Sequence, residues 1–197
     1  MSFDQEGGIF TNDKCSVLKL KPQYKDLYLP YLAILNSKVC WFYISKTSSE
    51  FAGGYFVFSN LFVNPFPIPN LSDSENDQLR NVLKNLVDTM LTLNQQLQEK
   101  RSRFLRRLSE NIEGVKITTA LQTFDKMDFA GFVAELKKQK IKLSLVQQDE
   151  WEDYFNQYHN ACQELTAQIS VTDNEIDNRV FDLYSLTPEE REIVMNS

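Results

Sequence analysis

LRNVLKNLVDTMLTLNQQLQEKRSRFLRRLSENI, residues 79–112, decides the fold of most of this chain. Leu79, Leu83, Leu86, Met90, Leu93 and Leu97 recur at steps of four and three, and Phe104, Leu108 and Ile112 continue the series. That is a heptad seam on a long helix, and it buries well only against another helix. Ser72 or Ser74 offers a cap before it, and Gly114 ends it. The same steps return between residues 147 and 169 as Trp151, Phe155, Tyr158, Cys162, Leu165 and Ile169. Two such helices joined by a long connector pair most simply antiparallel. Placing Ile169 level with Leu79 puts Trp151 level with Leu97 or the turn after it. In that register Asp149, Glu150, Glu152 and Asp153 face Lys100, Arg101, Arg103, Arg106 and Arg107, and complementary charge beside the seam favours the pairing.

Shorter helices surround this arm. Phe129, Phe132, Val133 and Leu136 mark one face of a helix over residues 129–139. A final helix is expected from Asp173 or Asn174, with Ile176, Val180, Phe181, Leu183 and Tyr184 packing back onto the rest. Thr187, Pro188, Glu189 and Glu190 combine a cap, proline in the first turn and acids near the positive helix end, which starts another helix.

The first third mixes signals. CSVLKL (residues 15–20) alternates loosely and reads as a strand ended by Pro22. Leu32, Leu35, Val39, Phe42 and Tyr43 predict a helix over residues 27–45 with Pro30 in its first turn. Thr47, Ser48 and Ser49 break it, and Gly53 and Gly54 allow a tight turn into YFVF (residues 55–58), a strand. Pro65, Pro67 and Pro69 then rule out helix or central strand and mark an extended linker, the expected domain boundary near residue 70.

The order within residues 31–69, YLAILNSKVCWFYISKTSSEFAGGYFVFSNLFVNPFPIP, is not one that core packing alone requires. It resembles the second half of the TaqI-like C-terminal specificity domain, the target-recognition module of type IIG restriction–modification enzymes and related adenine-specific DNA methyltransferases. TDNEIDNRVFDLYSLTPEEREIV, residues 172–194, is similar to the tail of the same families. The resemblance implies sequence-specific recognition of double-stranded DNA without chemistry of its own. It also implies an α+β fold: a partial recognition domain with a small β-sheet and helix over residues 1–70, then an antiparallel two-helix coiled-coil arm with short C-terminal helices over residues 71–197. A complete domain of this kind needs more β structure upstream, so the chain is expected to be a C-terminal piece, or a remnant, of a larger enzyme.

The expected DNA contacts are Lys46, Thr47, Ser48, Ser49, Gly53, Gly54 and Tyr55. Hydroxyls and a lysine can bind phosphate or base edges, glycines let backbone approach closely, and tyrosine can stack or donate a hydrogen bond. The other reading of the loop is a helix-to-strand corner packed by Phe51, Tyr55 and Phe56, and one loop can do both. Ala52 and Val57 stand where the related domains often carry a basic residue.

No other motif points to catalysis. Asn64-Pro65-Phe66-Pro67 lacks the consecutive prolines of an amino-methyltransferase loop and no Gly-rich cofactor loop precedes it. Glu135-Leu136-Lys137 falls on a helix rather than beside a further acid on a strand, where a nuclease would need it. His159 is the single histidine, and Cys15, Cys40 and Cys162 are widely spaced, which fits thiols in a reducing cytoplasm better than disulfides or zinc ligands. The chain itself is therefore expected to be non-catalytic, with no cofactor or metal, cytoplasmic and without a membrane span.

The net charge of −6 is unusual for a protein that neutralises phosphates, so other parts of a larger enzyme are expected to supply much of the grip. Lys100 to Arg107, and Lys137, Lys138, Lys140 and Lys142, could hold phosphates or form solvated and salt-bridged helix faces. The alternative for the whole chain is an assembly module whose helical arm dimerises or docks without touching DNA.

Overall fold

The computed structural model describes residues 17–51, 53 and 55–197, with backbone alone at Phe51. The chain is mostly helical. Its elements are α1 (Tyr28–Asn36), α2 (Lys38–Thr47), β1 (Glu50–Phe51), β2 (Tyr55–Phe56), α3 (Asn60–Val63), α4 (Asp77–Asn111), α5 (Thr119–Gln122), α6 (Phe129–Lys138), α7 (Leu145–Leu183) and α8 (Pro188–Met195). Among the described residues the β structure is one antiparallel hairpin of two residues a side, with Glu50 opposite Phe56 and Phe51 opposite Tyr55. The small sheet expected of an α+β fold shrinks to this hairpin. Residues 17–20 of CSVLKL form no strand, and Cys15 and Ser16 lie outside the described residues. YFVF keeps strand geometry only at its first two residues, before the helical turn of α3.

The chain packs as two compact units, Met1–Thr89 with Thr172–Ser197, and Met90–Val171. The first unit buries Leu27, Ala33, Ile34, Val39, Cys40 and Ile44 from its N-terminal helices, Val63 from α3, Phe66 and Leu71 from the proline-rich segment and its exit, and Ile176, Val180, Phe181 and Val194 from its C-terminal part. The expected single helix over 27–45 is two. Ser37 sits between α1 and α2 with extended backbone (φ −71°, ψ 163°), and its hydroxyl donates to Ile34 O at 2.7 Å and accepts from Cys40 N. A serine hydroxyl that satisfies both helix ends competes with the continuous ladder, so the break follows from one side chain. The proline segment is tied in rather than free. Tyr184 OH donates to Pro67 O at 2.7 Å and Tyr31 OH to Pro69 O, while Phe66 packs on Tyr43 with ring centroids 5.2 Å apart.

The second unit has an aromatic core. Phe104, Phe124, Phe132 and Phe155 are fully buried or nearly so, with Leu93, Leu97, Leu108, Leu121, Leu136, Cys162 and Leu165 around them. The two long helices run antiparallel here: Phe104 meets Trp151, Tyr154, Phe155 and Tyr158, and Lys100, one turn earlier on α4, lies over Tyr158. The register differs from the expected one. Trp151 lies beside Phe104, at least one heptad further along α4 than Leu97. The connector supplies the reason, because Phe124 stacks on Phe104 at 3.9 Å and Phe132 reaches it edge-on, so aromatic packing fixes the level.

The expected ion-pair seam is also absent. Among the described residues no salt bridge joins Asp149, Glu150, Glu152 or Asp153 to the basic run. Arg101 instead makes a bidentate pair with buried Asp125 at 2.9 and 2.6 Å, and Gln163 donates to Asp125 O. α7 continues through Asp173 and Asn174 without a break. Neither Gly nor Pro interrupts residues 145–183, and the Glu175–Arg179 pair supports the turn beyond. α8 starts as expected, with a reciprocal capping box between Thr187 and Glu190.

Candidate nucleic-acid interface

The loop expected to meet DNA is the hairpin that follows α2. Thr47 ends the helix, and Ser48 turns extended (φ −86°, ψ 156°). The Ser48 hydroxyl donates to Val57 O at 2.8 Å and accepts from Val57 N at 3.0 Å, which staples the two arms together. Val57 N also donates to Ser49 O at 3.3 Å. Gly53 occupies the turn at φ +96°, where a Cβ would lie 3.3 Å from the Tyr55 ring. A side chain there would be strained twice over, by backbone and by contact. Trp41 of α2 braces the hairpin from below, its ring edge-on to Phe56 at 5.3 Å.

Lys46, Thr47, Ser49, Gly53 and Tyr55 are exposed, Tyr55 to 74%. Lys46 Nζ lies 5.7 Å above the Phe42 ring and the Thr47 hydroxyl donates back to Tyr43 O. Ser48 is half-buried, and its hydroxyl is used within the hairpin. Gly54 and Ala52 lie outside the described residues, as does any packing by the Phe51 side chain. The exposed charges of the loop are Lys46 and Glu50, which balance.

Sequence reasoning missed the apolar surroundings of this loop. Trp41, Phe58 and Leu61 are 42%, 41% and 74% exposed. Trp41 falls outside the seam of Val39, Phe42 and Tyr43, and that offset was the available signal. The first unit also holds an open apolar groove of about 380 Å³ lined by Val39, Phe42, Tyr43, Phe66, Tyr184 and Ile193, among others. Burial raises the Tyr184 phenol well above its ordinary value, so it stays a neutral donor to Pro67 O.

Among the described residues, neither thiol is poised for chemistry. Burial raises Cys40, and burial with nearby Asp125 pushes Cys162 up to about 11, which disfavours the reactive thiolate. Among the described residues no group of three His, Cys, Asp or Glu side chains could hold a metal ion. No helix among them is long and apolar enough to cross a membrane.

No curated protein matches this chain, and no solved structure does. A family model matches residues 76–180, from the start of α4 to the last turns of α7, and leaves the hairpin outside. That match covers more than half of the chain, which therefore belongs to the family described as Domain of unknown function (DUF8810).

Proposed function

We propose that this chain is a DNA sequence-recognition module of a restriction–modification or DNA adenine methyltransferase protein, cytoplasmic and non-catalytic by itself. The observation that carries the reading is the exposed hairpin. It falls within the stretch that resembles a target-recognition domain, and it presents Lys46, Ser49, Gly53 and Tyr55 to solvent on a base held by Ser48 and Trp41. A lysine gives a sequence-blind phosphate contact, whereas a serine or tyrosine can reach base edges. The partner is double-stranded DNA, met together with the remainder of a larger enzyme. Selection of bound duplexes from a randomised pool tests it: Tyr55→Ala or Ser49→Ala should change the preferred sequences, and an unchanged preference in both would reject the hairpin as reader.

A second reading is a helical assembly module with no DNA contact. The exposed Trp41, Phe58 and Leu61 beside a charge-balanced loop favour it. Light scattering with a duplex titration separates the two: self-association or docking through the helical arm with no duplex binding would favour this reading, and a monomer that binds duplex would reject it.

A further inference from the structure

The second unit carries as many basic as acidic residues, eleven of each, so the whole net deficit of −6 belongs to the first unit. Within the second unit the charges are sorted along the chain. Lys100, Arg101, Arg103, Arg106 and Arg107 cluster on α4, and four acids open α7. Their mutual neutralisation, the simplest fate for such runs, does not occur. Arg101 turns inward to Asp125, and Arg106 and Arg107 share Glu110 within their own helix. Lys100 and Arg103 are exposed and, among the described residues, have no salt bridge.

Lys100, Arg103 and Arg107 stand at steps of three and four, on one stripe of α4. Two tyrosines of α7 back that stripe. Lys100 Nζ lies 6.0 Å from the Tyr158 ring centroid, and the Tyr154 and Tyr158 rings pack at 4.8 Å. Tyr154 in turn lies against Phe104 at 5.8 Å, nearly parallel. Lys100 thus rises from a half-buried aromatic floor and Arg107 is held by Glu110 within its own helix, so two of the three cations lose less side-chain entropy when they bind. At about 1.5 Å per residue the stripe spans about 10 Å. One DNA strand presents a phosphate every ~3.4 Å of helix axis, so that length covers about three phosphates.

We infer that the Lys100, Arg103 and Arg107 face of the second unit is a phosphate-backbone contact for double-stranded DNA, separate from the hairpin. The inference shares with the proposed function the reading that the chain meets DNA, but it uses different residues. It places part of the grip within the stretch that defines the family, where the hairpin has a single lysine balanced by Glu50. The contact is sequence-blind, because it holds phosphates and presents nothing to base edges.

The test is fluorescence anisotropy of the full chain with a labelled mixed-sequence duplex across a salt series. Lys100→Ala with Arg103→Ala and Arg107→Ala should weaken binding about tenfold or more at low salt. The same variant should reduce the slope of log affinity against log salt by about two to three, as loss of three phosphate contacts does. All three side chains are exposed, so the melting curve should stay near that of the parent. Lys137→Ala with Lys142→Ala is the comparison, since it removes two surface lysines of the same unit elsewhere and should leave affinity within about twofold. An unchanged salt slope in the triple variant would overturn the inference, as would an equal loss in the comparison variant, tighter binding to a polyglutamate peptide than to the duplex, or no duplex binding by the parent at low salt. Loss on the triple variant with no effect of Lys46→Ala or Tyr55→Ala would keep this site and reject the hairpin.

Discussion

Asp177 Oδ1 accepts a hydrogen bond from the backbone N–H of Lys38 at 2.8 Å, joining residues 139 positions apart at the start of α2. The first amide of a helix has no partner within it, so an outside acceptor is needed. Here α7 provides it, and the carboxylate is almost fully buried. This contact holds the helix that carries the hairpin to the C-terminal part of the same unit.

Burial lifts the Asp177 carboxyl above its ordinary value of 3.8, although the Lys38 N–H pulls it down and Asp173 adds to the rise. Between that value and the raised one the native chain binds the proton more readily than the unfolded chain. Stability from this group is therefore highest in acid and falls as pH rises through the window. Asp177→Asn keeps an acceptor without the buried charge, so it should raise Tm at pH 7, with the gain shrinking as pH falls toward 4. Asp177→Ala strands the amide and should cost about 1–3 kcal/mol at pH 7. Thermal melts of the three proteins across pH check both.

Phe155 centres the aromatic core of the second unit, against Phe124, Phe129 and Phe132. Phe155→Ala should destabilise by about 3–5 kcal/mol, from lost burial and the cavity left behind. Urea unfolding followed by tryptophan fluorescence measures it through Trp151, which packs on Phe132 in the same cluster.

The Arg101–Asp125 pair makes a different prediction. The Asp125 side chain is 3% exposed and that of Arg101 20%, so removing one partner leaves a poorly solvated charge. Asp125→Ala should cost about 3–5 kcal/mol, and Arg101→Met combined with Asp125→Leu should recover most of it, since an apolar pair avoids the desolvation. A double variant no more stable than Asp125→Ala would show that Arg101 tolerates solitude.

The long helices were legible because apolar residues at steps of three and four leave few alternatives, and the Thr187 capping box was written in four consecutive residues. Register was not legible, because a heptad seam looks the same after a slip of seven. The tie is broken by Phe124 and Phe132, whose approach to Phe104 depends on how the connector folds. The Ser37 break was hidden because Leu32, Leu35, Val39 and Phe42 keep helical spacing across it. At the hairpin, exposure of Lys46, Ser49 and Tyr55 followed from the glycine and small polar residues, whereas the internal use of the Ser48 hydroxyl depended on Val57, nine residues away.

Thr187→Ala should cost about 1 kcal/mol, since the Thr187 hydroxyl accepts from Glu190 N and Glu190 Oε2 accepts from Thr187 N at 2.8 Å. The same change should make α8 an early site of limited proteolysis while the cleavage pattern of the second unit stays as in the parent.

A titration of the full chain and of Lys46→Ala against mixed duplex DNA, at low and at physiological salt, tests the central claim most directly. The account predicts dissociation constants of roughly 10⁻⁴ to 10⁻⁶ M for the parent at physiological salt. It predicts weaker binding by Lys46→Ala to all duplexes alike, with a salt slope shallower by about one. No binding at low salt, or a Lys46→Ala titration that overlays the parent, would contradict it.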